Sequence, residues 1–266
     1  MVLLTDFGLA DHYVGVLHAV LASDAPGAAR VDLSHGVPPG DVWTASFLLR
    51  CAWDHLPDHA VVLAVIDPGV GGERRPVAVL RDDRWLVAPD NGLAAAAGAP
   101  AEAVVLDWRR MGLPEPSRTF HGRDLFAPAA ARIARGDDPN SLGDSVDPVS
   151  LVASPLPEPV PIEGGFRATV LHVDRFGNVV TNLPAAAVPA GATAWYGAPL
   201  GARRVATYSD ARAGEVVVID GSSGLLELAV NCSSAAELAN LGRGDTVEIT
   251  FGQRIGTERQ RTKNEE

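Results

Sequence analysis

The chain has 266 residues, 47% of them hydrophobic, and a formal net charge of -11. That length suits a globular protein of one large or two modest domains, and the acidic balance excludes a nucleic-acid partner, because phosphate binding needs a concentrated basic face. No apolar run reaches the roughly 18 to 20 residues that span a bilayer and no basic, then apolar, leader precedes the first strand, so a cytoplasmic protein without a membrane partner is expected.

Val2 to Leu4 reads as the first strand, and Thr5-Asp6-Phe7-Gly8 closes it with a carboxylate at the sheet edge. In open α/β sheets ligands lie outside the carboxyl ends of the strands, so Asp6 either accepts a ribose diol or caps the helix that begins near His12. A helical segment at Tyr13 to Leu21 and a strand at Arg30 to Leu33 follow. Asp41 then precedes Val42, Ala45, Leu48, Leu49, Ala52 and Trp53, whose spacing near 3.6 predicts a helix over 42–53 with Asp41 as its N-cap.

The apolar run Val61 to Ile66 ends abruptly in Asp67-Pro68-Gly69-Val70-Gly71-Gly72-Glu73-Arg74-Arg75. Glycines let a ligand approach the main chain, and Arg74 can return to face Asp67; the same residues also suit a tight turn with a surface ion pair. Strands are predicted at Val77 to Leu80, Trp85 to Val87 and Ala103 to Leu106. Thr119-Phe120-His121-Gly122-Arg123-Asp124 leads into a helix predicted over Asp124 to Ala134. A helix N-terminus disfavours protonated imidazole, so His121 is either a neutral proton acceptor or a packing residue.

Prolines at 148, 155, 157, 159 and 161 mark a stiff connection. We therefore expect an N-terminal α/β domain over 1–154, a linker over 155–162 and a second domain over 163–251. The latter carries strand-like runs at Ala168 to Val173, Val179 to Leu183, Arg204 to Tyr208, Glu215 to Ile219, Leu225 to Val230 and Thr246 to Phe251, with one short helix near Ala235 to Asn240. Turn residues separate these runs, which suits a small β-barrel or sandwich. The charged stretch 252–266 is expected to be disordered.

Within the second domain, Asp174-Arg175-Phe176-Gly177-Asn178 sets a stackable ring beside a planar amide, suited either to a purine or to an ordinary turn. Gly221-Ser222-Ser223-Gly224 opens a strand in which Glu227 is polar among apolar neighbours, as a site residue or as a plain solvent-facing one. Cys51 and Cys232 lie in apolar contexts and read as buried free thiols, and no paired Cys/His spacing points to zinc. Lys263 in the tail is the only lysine, which leaves Asp, Glu, His, Arg and hydroxyls to carry any catalysis.

Six ordered segments together resemble the S-adenosylmethionine hydrolase family, also described as hydroxide adenosyltransferases and related to the fluorinase and chlorinase enzymes. They are TDFG (5–8), DPGVG (67–71) with Arg74, APDNGL (88–93), TFHGRD (119–124), FGNVVTN (176–182) and GSSGLLELAVN (221–231). The resemblance implies an N-terminal Rossmann-like α/β domain, a smaller C-terminal β-barrel domain, and a homotrimer with its site between neighbouring subunits. It implies that Asp67, Arg74 and His121 hold a nucleophilic water, and that Asp6, Asn178, Ser222, Glu227 and the backbone near Val230 join Asp67 in holding the adenosine-containing substrate. No cofactor and no metal are expected, because a sulfonium departs as a neutral thioether. A halogenase and a non-catalytic adenosine-binding protein are the rival readings; the halogenating relatives carry other residues where this chain has Asp67 and His121.

Overall fold

A computed structural model of the chain describes residues 1–189, 194–196 and 202–251, the backbone alone at 194–196 and 251. The chain divides into two compact units, Met1–Leu156 and Pro157–Glu266.

The first unit runs β1 (Val2–Thr5), α1 (Tyr13–Asp24), β2 (Val31–Ser34), α2 (Val42–Ala52), β3 (Val61–Val65), β4 (Pro76–Arg81), β5 (Arg84–Pro89), β6 (Glu102–Leu106), α3 (Ala127–Ala134) and β7 (Gly143–Val146). Its sheet has the order β2-β1-β3-β5-β4-β6-β7. The first four of these strands pair in parallel and the rest antiparallel. Every residue of β3 is buried, as a parallel strand covered on both faces requires. Successive side chains point to opposite faces, and the two cores divide accordingly. Leu3, Leu63 and Val65 pack with Leu17, Leu21, Phe126 and Ala130 of one helical layer. Val2, Leu4, Val62 and Ala64 pack with Leu49 and Trp53 on the other face.

Asp41 caps α2 as its sequence position predicts, accepting from the Thr44 amide at 3.1 Å. Asp6 does not cap α1, whose N-cap is His12 without a side-chain hydrogen bond. Instead it accepts from the Gly40 amide at 2.7 Å, which ties the end of β1 to the loop before α2.

The second unit carries β8 (Val160–Ile162), β9 (Gly165–Val173), β10 (Val179–Pro184), β11 (Ala194–Tyr196), β12 (Arg203–Val205), β13 (Val216–Asp220), β14 (Leu225–Val230), α4 (Ala235–Ala239) and β15 (Thr246–Phe251). The strands order as β11-β15-β9-β10-β14-β13-β12 with β8 added on β9. All of these pairs are antiparallel except β12 with β13. Val170, Val218, Leu226 and Leu228 are among the apolar residues of its core.

Several expectations change in detail. The proline-rich stretch read as linker contains β8, whose Pro161 pairs only with β9, the edge position where a residue without an amide hydrogen is tolerated. The strand expected at Arg204 to Tyr208 stops at Val205, because Thr207 and Asp210 close a capping box around a single helical turn. Cys51 is only half-buried and Cys232 is exposed, so the apolar context did not bury either thiol. The tail at 252–266 lies outside the described residues. Among the described residues, no helix is long and apolar enough to cross a membrane.

Candidate functional site

Asp67 stands just beyond the carboxyl end of β3, and Asn91 fixes that end by donating its side-chain N–H to the Ile66 carbonyl at 2.8 Å. The chain must then double back within seven residues for Arg74 to face Asp67. Two glycines allow it. A Cβ on Gly69 would sit 3.2 Å from Arg74 Cγ, and one on Gly71, at φ +75°, would sit 2.3 Å from the Arg118 carbonyl oxygen. The returning guanidinium donates through Nε to both carboxylate oxygens of Asp67, at 3.0 and 3.1 Å, and through Nη2 to Oδ2. It also lies over the Phe126 ring, 5.2 Å from the centroid. This is not the surface ion pair of a tight turn: the two side chains are 11% and 6% exposed.

His121 joins the pair from a separate segment. It precedes a π-helical turn over Gly122–Phe126 that continues into α3, and its Nδ1 lies 2.8 Å from Arg74 Nη2. A guanidinium only donates, so Nδ1 accepts and the ring proton sits on Nε2. Burial, then the Arg74 charge, lowers the His121 pKa against the opposing pull of Asp67 and Asp124. The result is a neutral imidazole with an N–H to offer, beside a carboxylate whose oxygens can accept.

Asp6, Asp67 and His121 line one cavity of about 310 Å³ together with Phe7, Tyr13 and Phe120. Burial raises the Asp6 pKa; the Gly40 hydrogen bond opposes this and the Asp67 charge adds to it. The three aromatic rings pack edge to face or tilted, with centroids 5.2 to 5.8 Å apart. Faces and edges of such rings beside two carboxylates favour a cationic or flat ligand. Tyr13 and Phe120 were not singled out in the sequence, because ring residues at helix and loop positions read as ordinary core.

Asn178, Ser222, Glu227 and Val230 line a second cavity, of about 770 Å³, within the second unit, with Tyr208 and the largely exposed Phe176. The turn reading of this segment is partly right: Gly177 has φ +82°. Asn178 is nevertheless held by Asp174, which accepts its amide and its side-chain N–H at 2.9 and 2.8 Å. Glu227 is not a solvent-facing residue, for it is 8% exposed and lies under Gly221, where a Cβ would meet its Oε1 at 2.0 Å. Burial raises its pKa, while the Tyr208 hydroxyl donates to Oε2 at 3.3 Å.

Other motif residues hold the scaffold. Asp90 accepts from Arg75 and from the Val152 amide, each at 2.8 Å. Thr181 donates to the Leu226 carbonyl, and Asn182 accepts from the Thr169 amide. Asp124 is held at about pH 2: burial alone would raise it, but hydrogen bonds from Arg123 and Ser117 outweigh that.

The family model for the SAM hydroxide adenosyltransferase N-terminal domain matches residues 1–143, and that for its C-terminal domain matches 168–248. An (R)-S-adenosyl-L-methionine hydrolase of Thermus thermophilus is 44% identical over 92% of this chain and 97% of its own length. One of the same name from Salinispora tropica is 42% identical over 93% of this chain and 96% of its own. The crystal structure of an uncharacterised conserved protein from Thermotoga maritima superposes with a TM-score of 0.85 at 34% identity, covering 94% of this chain and 100% of that one.

Proposed function

Because the chain belongs to the SAM hydroxide adenosyltransferase family, we propose that it hydrolyses S-adenosyl-L-methionine to adenosine and L-methionine. The observation that carries this reading is the buried contact of Asp67, Arg74 and His121 at the wall of one cavity. Water attacks the ribose C5′ carbon; the C5′–O bond forms as the C5′–S bond breaks, and the electron pair leaves on sulfur as the neutral thioether of methionine. A sulfonium needs no acid to leave, so the protein's task is to place one oxygen and remove its proton.

The hydrogen-bond directions divide that task. Arg74 is permanently charged and holds Asp67. His121 offers Nε2–H to the water oxygen while its Nδ1 remains on Arg74. Asp67 is then the acceptor of the proton, adding about 10² to 10⁴ in rate on top of what alignment contributes. The rings of Phe7, Tyr13 and Phe120 suit the sulfonium charge. No residue of this scheme calls for a cofactor.

We read Asn178, Ser222, Glu227 and the backbone near Val230 as the holders of the adenosine moiety, with Asp6 on the ribose. The parallel strands of the first unit fit a Rossmann-like layer, and the antiparallel strands of the second a small barrel. The assembly we propose is a homotrimer that joins the two residue sets across neighbouring subunits, in the cytoplasm.

Incubation with S-adenosylmethionine followed by chromatography tests the reaction. Adenosine and methionine should appear in equal amounts, and intact substrate after hours at micromolar protein would reject it. With chloride or fluoride added, a 5′-halo-5′-deoxyadenosine product would instead identify a halogenase. Asp67→Ala and His121→Ala should each lower kcat by about 10²-fold or more while adenosine still binds. Wild-type turnover in both would remove the assigned water site.

A further inference from the structure

Three side chains that line neither cavity converge elsewhere in the first unit: His18 on α1, Asp32 on β2 and His35 just after β2. His18 Nε2 lies 2.9 and 3.2 Å from the two oxygens of Asp32, and His35 Nε2 lies 3.2 Å from Oδ1. One ligand atom from each of the three residues falls within 4.8 Å of the others.

The decisive atom is His35 Nε2. It is buried in a side chain only 3% exposed, yet it makes no hydrogen bond despite its approach to Asp32. A ring nitrogen that comes near a carboxylate without aiming a proton at it behaves as ligand atoms do around a common centre. Bonds of about 2.0 to 2.2 Å to one metal ion separate neighbouring ligand atoms by about 3.0 to 3.4 Å, close to the 2.9 and 3.2 Å that separate Asp32 Oδ1 from His18 Nε2 and from His35 Nε2. The other ring nitrogen, Nδ1, sits 2.8 Å from Thr5 Oγ1. If Nδ1–H donates to that hydroxyl, the Nε2 lone pair faces the cluster, the outer hydrogen bond that orients metal-ligating histidines.

We propose that His18, Asp32 and His35 form a binding site for a divalent transition cation of the zinc type. Two imidazoles and one carboxylate select such an ion over calcium or magnesium, which take oxygen ligands. The exposure of His18 and Asp32, 31% and 44%, leaves room on the outer side for water as a further ligand. The site also has a mechanical consequence. Thr5 and the Gly8 amide, which donates to the His35 carbonyl at 2.8 Å, bind His35 to the loop that carries Asp6 and Phe7. The ion pins α1, β2 and that loop together, making His35 a positioning residue for the cavity.

The test uses the full chain, stripped with chelator and free of substrate, so its outcome is independent of the hydrolysis reading. Zinc titrated by calorimetry should bind with one equivalent and raise the Tm. His18→Ala and Asp32→Asn, folded by circular dichroism, should each weaken binding at least tenfold, and Thr5→Val should weaken it about 10- to 100-fold. Cobalt should give ligand-field bands without thiolate charge transfer. No binding of zinc at tenfold excess, affinity unchanged in both ligand variants, or a cobalt–thiolate band that assigns the ion to a cysteine would each overturn the site.

Discussion

Arg74 is the residue on which the proposed water site turns, since a single guanidinium contacts both Asp67 and His121. Lysine keeps the charge but has one compact ammonium in place of a planar fork, and cannot satisfy both partners in the same directions. Arg74→Lys should therefore lower kcat about 10²-fold, the scale of an ångström's misplacement, with a smaller change in KM; an unchanged kcat in steady-state assays would contradict the division of roles. The same contact sets a pH dependence. Burial and the Arg74 charge lower the His121 pKa, so the neutral ring that accepts from Arg74 persists as pH falls past the ordinary histidine value of 6.5 and is lost only below the folded-state pKa. The acid limb of kcat/KM and the His121 resonance in NMR titration should both fall below pH 6.5, and Arg74→Met should move the resonance upward. Glu227 has the opposite sign, because burial raises its pKa from 4.5. The stability it contributes is complete below pH 4.5 and is lost as pH rises through the folded-state value. Glu227→Gln should flatten that part of the denaturation-midpoint profile. At this scale the contact of Asp67 with Arg74 was legible because both lie on one glycine-rich loop, whereas His18 stands 14 residues before Asp32 on another element and the Asp32–His35 pair at i,i+3 carries no signal by itself.

At the level of elements, the turn after β3 matters more than any regular segment. Its glycines are read from the sequence as permission for a ligand to approach, and Gly71 has a more local reason: the Arg118 carbonyl occupies the space a Cβ needs. Gly71→Ala forces a side chain onto φ +75° as well as into that oxygen, at a cost of about 1–3 kcal/mol for the backbone alone. For a chain of this size the first unit should melt at least about 2 °C lower, with kcat reduced as Arg74 loses its place; a wild-type melting curve would show the loop to be freer than the packing implies. Periodicity exposed most of the surrounding framework. Buried parallel strands such as β3 are continuous apolar runs, and α2 carries both a 3.6 period and an N-cap. The short strands β7 and β8 escaped because four or three residues, two of them glycine and proline, carry too little alternation to stand out. The π-helical turn at Gly122–Phe126 escaped because a single turn of five residues is too short for a changed period to show in the sequence.

For the whole molecule, the two cavities pose a question of assembly. One, within the first unit, is lined by Asp67 and His121, which Arg74 contacts, and the other, within the second, by Asn178, Ser222 and Glu227. Nothing in the order of motifs along the chain tells which copy of the second unit serves a given first unit, since sequence order fixes connectivity and not the partner across an interface. The proposed trimer makes a quantitative statement. In that proposal a head-to-tail ring of three would build each site from the first unit of one subunit and the second unit of its neighbour. Asp67→Ala subunits keep an intact second unit, and subunits with Asn178→Ala and Glu227→Ala keep an intact first unit. Neither variant alone has a complete site, but random mixing in equal amounts creates one wherever an intact first unit meets an intact second unit, which occurs in about one site in four. Refolded mixtures, with exchange verified by native mass spectrometry, should recover about a quarter of wild-type adenosine formation. If each chain formed its site alone, every site would carry one defect and the mixture would stay as inactive as its parents, so the recovered rate distinguishes a shared site from a private one.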